Sequence, residues 1–336
     1  MFQRVGPKAL KYDLGNITKL MDVYGNPQDN LTCIHIAGTN GKGSVAHMLA
    51  SILQEAGYTV GLYTSPHYKD YRERIRLNGQ LIEKSYVTTF VSQLRKTEVI
   101  QTIKPSFFEI GVAMAFQYFA DKQTDICIIE TGLGGRLDST NIITPLLSVI
   151  TNIGYDHQAT LGETLPEIAS EKAGIIKQNI PVMIGEYQAE VAEIFTKKAS
   201  KEKAAINWAK DYLAAYPSLT SDKENESIKD YLQVDYLKHN FITALASLTA
   251  LHNSGDIKLS ASAISNGIKR LHQNTGYMGR WQCLSKSPLI YTDAAHNVQG
   301  MTLLTDQLKT MKYQRLHIVL GMVGDKPLDK VLRLLP

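Results

Sequence analysis

The 336-residue chain is 44% apolar and has a net charge of only +4. That is enough apolar material for two or three cored domains. The charge, with no long Lys/Arg run, does not suit a nucleic-acid binder and fits small anionic ligands instead. No apolar run reaches membrane-spanning length, the N-terminus lacks a secretory layout, and Cys33, Cys127 and Cys283 lie far apart with no C-x-x-C pair; the expectation is a cytoplasmic protein without disulfides, membrane spans or a cysteine-held zinc.

Residues 1–30 predict a helix (Ile17, Leu20, Met21, Tyr24) closed by Gly25-Asn26-Pro27. Leu31–Ile34 reads as a buried strand, and Val45, Met48, Leu49, Ile52 and Leu53 recur at helical spacing. Between them lies His35-Ile36-Ala37-Gly38-Thr39-Asn40-Gly41-Lys42-Gly43-Ser44, a glycine-rich strand-to-helix turn. Backbone N–H groups of such a turn, with the helix N-terminus, cradle phosphates. Lys42 would reach the β- and γ-phosphates, and the Ser44 hydroxyl a phosphate or its magnesium ion. The spacing departs from G-x-x-x-x-G-K-[ST], because Gly38 and Gly41 are close and Gly43 separates Lys42 from Ser44.

Thr59–Tyr63 predicts a second strand, ending at Thr64-Ser65-Pro66-His67. Parallel α/β sheets bind ligands at the C-terminal strand ends, so a hydroxyl here either ligates magnesium or caps a turn. Arg72–Gly79 carries alternating arginines and reads either as a hairpin with a solvated face or as a cationic loop. Helices follow over Val87–Leu94 and from Pro105 to Phe119. The apolar strand Asp125–Glu130 then ends in a carboxylate, with a second glycine-rich loop, Thr131–Asn141, behind it. Phosphate-loop enzymes hold magnesium with an acid at such a strand end, which gives Glu130 a metal role.

Leu146–Ile150 is a further strand, and it directs Asp156-His157 to the same edge. Glu171–Lys177 follows on a helix, then the strand Pro181–Ile184 and the polar connection Ser218–Ser227. Helices are expected over Tyr236–Leu251 and Ser260–Leu271. The loop-like Gln273–Gly279 places a boundary between domains 1–278 and 279–336. Leu289–Asn297 reads as strand into loop, a helix begins near Gln299, Leu316–Gly321 is a strand, and a last helix starts near Pro336. The fold class is α/β, a parallel-sheet ATP-binding domain followed by an incomplete second Rossmann-like α/β domain. A phosphate loop, a strand-end acid, hydroxyls and a histidine on one edge imply ATP with divalent ions in a transferase, ligase or hydrolase.

The segments His35–Ser44, Tyr63–His67, Arg74–Gly79, Phe107–Glu109, Glu130–Asn141, Asp156–Gly162, Glu171–Lys177 and Asp293–Asn297 resemble folylpolyglutamate synthase/dihydrofolate synthase, in the Mur ligase superfamily. The resemblance implies that ATP phosphorylates a folate or dihydropteroate carboxylate and that L-glutamate attacks the acyl phosphate. It also implies residue roles. Gly38, Thr39, Asn40, Gly41, Lys42, Gly43 and Ser44 would hold the ATP phosphates. Ser65 and Glu130 would take one Mg2+, and His157 with Glu130 a second. Lys172 matches a lysine carried as a metal-binding carbamate. Asn240, Arg280, Asp293 and His296 would contact the nucleotide, and the enzyme would be a monomer.

Two departures stand out. Alanine occupies positions in Asp293–Asn297 where the family commonly has glycine, and family members continue through most of another α/β domain. The expectation is therefore a piece of a longer protein that binds ATP yet ligates glutamate poorly. Two other readings remain: a nucleotide-binding remnant without turnover, and a cell-wall amino-acid ligase, which Gly43 and the Arg74–Gly79 loop disfavour.

Overall fold

The structure, a computed structural model, describes residues 13–215, 234–322 and 328–336. The expected features at residues 1–12 and Ser218–Ser227 lie outside them. Helix α1 (Gly15–Asp22) leads into strand β1 (Cys33–Ala37), helix α2 (Lys42–Glu55) and strand β2 (Val60–Tyr63). A hairpin of β3 (Ile75–Leu77) and β4 (Gln80–Leu81) precedes helices α3 (Lys84–Leu94), α4 (Glu98–Ile103) and α5 (Phe107–Asp121). Then come β5 (Ile126–Glu130), β6 (Leu147–Ile150), α6 (Gln158–Leu161), α7 (Leu165–Ala173), β7 (Val182–Ile184), α8 (Ala189–Lys201) and β8 (Ile206–Trp208). Helices α9 (Asp235–Asn253), α10 (Ala261–Lys269) and α11 (Leu271–Thr275) follow. The remaining elements are β9 (Gln282–Lys286), β10 (Leu289–Thr292), α12 (Val298–Thr310) and α13 (Leu328–Leu332).

Eight strands form one sheet in the order β4-β3-β2-β5-β1-β6-β7-β8. The six from β2 to β8 run parallel, and the β3–β4 hairpin adds antiparallel to β2 at one edge. Strand alternation divides the core. Ile34, Ile36, Ile126, Ile128, Leu147 and Val149 pack beneath α2 and α9 on one face. Cys33, Tyr63, Cys127 and Ile129 meet α1, α3 and α5 on the other. A separate apolar cluster holds α7 and α8 against Ile150, Val182 and Ile184. Helix α5 starts where Ser106 and Glu109 form a reciprocal capping box, the Ser106 side chain accepting from the Glu109 N–H.

The hairpin reading of Arg72–Gly79 fits the structure, but its face is not wholly solvated. Arg76 is buried and donates to the Gly79 carbonyl at 3.0 Å. The loop expected over Gln273–Gly279 begins later, because α11 runs to Thr275. The strand expected at Leu316–Gly321 does not form. A strand exists by pairing, and Val319 is 100% exposed with no neighbouring strand among the described residues. The second sheet is only the antiparallel pair β9–β10, with Leu284 60% and Leu289 55% exposed.

Candidate functional site

The sheet register converges the site. Ile36 of β1 pairs with Glu130 of β5, Ala37 with Ile150 of β6, and Tyr63 of β2 with Ile129. The residues that follow these strand ends (Gly38, Thr131, Thr151 and Thr64) therefore leave the sheet side by side at its C-terminal edge. Gly38 to Ser44 turn there into α2. Gly41 is its N-cap, with φ at 84° and no side-chain cap bond, so the N–H groups of the first turn face outward as an anion cradle. Glycine is favoured at 41 by its positive φ, and a Cβ there would press on Asn240 Oδ1 of α9. Asn240, Gly41 and the loop are thus in contact.

The rest of the turn is tied to the end of β6. Thr39 N–H donates to the Asn152 carbonyl at 2.9 Å and Asn40 N–H to Asn152 Oδ1 at 2.9 Å. Thr151 Oγ1 donates to the Asn40 carbonyl at 2.6 Å. Lys42 Nζ lies across the loop, donating to the carbonyls of Gly38 (3.1 Å) and Thr39 (3.3 Å). Ser44 differs from the expectation: its hydroxyl is buried and bonds the Tyr277 hydroxyl at 2.9 Å.

Glu130 is buried at the end of β5, with Oε2 accepting from the Ser65 N–H at 2.9 Å. Oε1 stands 3.6 Å from where a Gly43 Cβ would be, so the carboxylate lies directly beside the loop at Gly43. Burial raises the Glu130 carboxyl above its usual range, opposed by Lys42, the Ser65 N–H, Arg280 and Arg74. The loop behind it is braced by Asp138, whose Oδ2 accepts from Gly132 N–H and Leu133 N–H, both at 2.8 Å. Thr140 donates to Asp138 and lies 2.8 Å from His35 Nε2, linking the brace to β1.

Lys172, near the end of α7, is buried and donates to the Gly38 carbonyl at 2.8 Å. Burial and the neighbouring Lys42 bring its amine down to about 7, against the pull of Asp156 and Asp138. His157 caps α6 with φ at 51°; its N–H donates to Asp156 Oδ1 at 2.9 Å, and its half-exposed ring sits 3.9 Å from the same carboxylate.

The second-domain residues come to the same edge. Asp293 accepts from the Tyr236 hydroxyl and the Trp281 N–H, both at 2.7 Å, and from the Ala295 N–H at 2.8 Å. Arg280 donates to the Gly279 carbonyl at 2.9 Å and the Tyr68 hydroxyl at 3.3 Å. His296 Nε2 lies 3.3 Å from Asp156 Oδ2. Asn152, Asp138 and Tyr277 escaped the sequence reading. Asn152 and Asp138 had a usable signal, each being polar in a segment that follows an apolar strand.

The donors fit magnesium in kind. The Glu130 carboxylate adjoins the loop at Gly43, and Ser65 is bonded to that carboxylate through its N–H; both side chains offer hard oxygens, and Mg2+ is commonly held by one or two carboxylates together with substrate phosphates. Among the described residues no group of three or more His, Cys, Asp or Glu could enclose a metal unaided.

Comparison with known proteins agrees with this geometry. Residues 36–253 match the Mur ligase middle domain and residues 279–335 the Mur ligase glutamate ligase domain. The dihydrofolate synthase/folylpolyglutamate synthase of Bacillus subtilis (strain 168) is 36% identical over 97% of this chain and 79% of the relative. The folylpolyglutamate synthase of Lacticaseibacillus casei is 34% identical over 94% of this chain and 76% of the relative. A solved structure of E. coli FolC in complex with DHPP and ADP superposes with a TM-score of 0.81 at 29% identity, covering 99% of this chain and 78% of that one. The chain belongs to the Mur ligase family, in its folylpolyglutamate/dihydrofolate synthase branch.

Proposed function

We propose that this chain is an ATP-dependent acid–amino-acid ligase that joins L-glutamate to the carboxylate of a folate or a dihydropteroate. The observation that carries the reading is the register of β1 with β5, which seats Glu130 directly against the glycine cradle at Gly43. In this reading a substrate carboxylate oxygen attacks the γ-phosphorus of ATP and ADP leaves. The glutamate amine then displaces phosphate from the acyl phosphate, forming an amide.

The cradle of Gly38 to Ser44 with Lys42 orients the phosphates, and Asn240, Arg280, Asp293 and His296 flank the nucleotide. Magnesium, when bound, neutralises charge developing on the phosphates. Ser65 and Glu130 would hold one ion and His157 with Glu130 a second, with Lys172 as a carbamate near them. The boundary at 278/279, a monomeric state and a cytoplasmic location belong to the same proposal. No helix among the described residues is long and apolar enough to cross a membrane.

The test is transfer of isotope-labelled glutamate into an acid-stable product, with Mg-ATP and either dihydropteroate or tetrahydrofolate. ATP-dependent label in the product with one or both acceptors is expected. Label with neither acceptor would remove the reading.

A further inference from the structure

The phosphate loop is gripped from both ends by side chains that follow α11. At its far end, Ser44 Oγ meets the Tyr277 hydroxyl at 2.9 Å, with both residues buried. The Tyr277 ring is wedged between His47 of α2 and His272 of α11, at ring-centroid distances of 5.4 and 5.5 Å. Glycines with positive φ stand just before Tyr277 and just after Met278, at +64° for Gly276 and +71° for Gly279. The backbone thus bends on either side of an anchored tyrosine.

At the near end, Asn297 Nδ2 donates to Asn40 Oδ1 at 2.9 Å, and Asn40 Nδ2 donates to Gln299 Oε1 at 3.1 Å. Asn297 is itself fixed as the N-cap of α12, its Oδ1 accepting from the Gly300 N–H at 2.8 Å. Gln299 is pressed against the strand-end loop, since a Cβ at Gly154 would collide with its Oε1. Asn40 and Ser44 bracket Lys42, so these bonds hold the two ends of the segment that must present Lys42 and the helix N-terminus to phosphate.

We infer that Tyr277 and Gln299 are positioning residues of the phosphate loop, so that triphosphate affinity depends on side chains whose bonds go to the loop itself. The inference rests on reading Gly38 to Ser44 as a phosphate cradle. A loop already held in its binding geometry loses less conformational freedom when the anion arrives. Tyr277 lies 233 residues from Ser44 in sequence, and Gln299 lies 259 from Asn40. Each grip therefore makes the first domain's cradle sensitive to where the later segment sits.

The probe is magnesium tripolyphosphate, titrated calorimetrically into the full chain. Tyr277→Phe keeps the ring and removes one hydroxyl, and Gln299→Ala removes the nearer acceptor of Asn40 Nδ2, leaving only Asn297 Oδ1 at 3.4 Å. Each is expected to weaken tripolyphosphate about 3- to 10-fold, the range of one lost hydrogen bond. Melting temperatures should stay within about 4 °C. In a Ser44→Ala background, Tyr277→Phe should cost nothing further, which a general loosening of the fold would not reproduce. Unchanged affinity in both single variants would overturn the inference, as would losses that only track a falling melting temperature. A wild-type chain that fails to bind tripolyphosphate would overturn the cradle reading, and the inference with it.

Discussion

The ammonium of Lys172 donates to the carbonyl of Gly38 at 2.8 Å, with the lysine buried. This joins the last turn of α7 to the first residue of the phosphate loop. A lysine late in a helix ordinarily serves only the negative helix end. Here it is carried into the site, and the cost of burying its charge, with Lys42 nearby, brings the amine to about 7. Near neutral pH a large fraction of Lys172 is then an uncharged nucleophile.

The first prediction follows from that amine. Its neutral nitrogen can attack dissolved carbon dioxide, forming an N–C bond and releasing a proton to solvent, to leave a carbamate. Intact-protein mass spectrometry under bicarbonate should show a single added carbon dioxide that Lys172→Ala abolishes. An unmodified wild-type lysine at every bicarbonate concentration would count against it. The lowered amine also has a stability sign. The unfolded chain holds this proton up to an ordinary lysine value while the folded chain releases it from about 7, so this group's contribution to stability rises with pH across that window and is flat below it.

Glu130→Gln should reduce glutamate ligation by at least about 100-fold, in keeping with removal of a preorganised charged group. The melting temperature should hold or rise, because burial already disfavours this carboxylate. Near-normal turnover with ordinary magnesium dependence would show that Glu130 is not the metal acid.

Acid should unfold the protein through two histidines. His35 is buried and His47 is only partly exposed, and desolvation pushes both down to about 3. The unfolded chain takes up these protons near pH 6.5 and the folded chain does not. Stability should therefore fall as pH drops from 6.5 towards 3, by up to about 1.4 kcal/mol per pH unit for each histidine. Urea midpoints measured across that range test it; a flat profile in wild type would contradict the desolvation of the two rings.

Gly41→Ala should weaken triphosphate binding, since the added methyl displaces Asn240 Oδ1 beside the loop and the backbone sits at positive φ. Gly25→Ala makes the control, with a φ of +72° and nothing within 4 Å. It should cost about 1–2 kcal/mol of stability for its backbone conformation and leave triphosphate affinity unchanged. Equal effects of the two on binding would remove the packing argument.

The exposed apolar face of β9–β10 should bind a hydrophobic dye. Leu284→Lys together with Leu289→Lys should lower that signal and slow aggregation without changing triphosphate affinity, because both side chains are more than half exposed on that strand pair. Unaltered dye binding would place the sticky surface elsewhere.

The parallel sheet and its edge were legible because each strand that lines the site is a short apolar run that ends in, or is followed by, a glycine, hydroxyl or acid, as at Gly38, Thr64 and Glu130. Such patterns are local, and parallel strands place their ends on one edge whatever the strand order. Pairings between distant segments have no local signature. Cys33 and Cys127 look unrelated in sequence yet are register neighbours on β1 and β5, both thiols free. Ser44 reads as a phosphate ligand until Tyr277 is seen to take its hydroxyl. Leu316–Gly321 has the composition of a strand, but composition does not supply the partner that a strand requires.

The most direct test follows an oxygen atom. With the carboxylate of the acceptor labelled with 18O and Mg-ATP and L-glutamate present, attack of that carboxylate on the γ-phosphorus, followed by amide formation, must leave one labelled oxygen on the phosphate. Mass spectrometry of the released phosphate should find one 18O for each amide formed. Amide formed with wholly unlabelled phosphate, or phosphate released at a rate indifferent to glutamate and acceptor, would contradict the account.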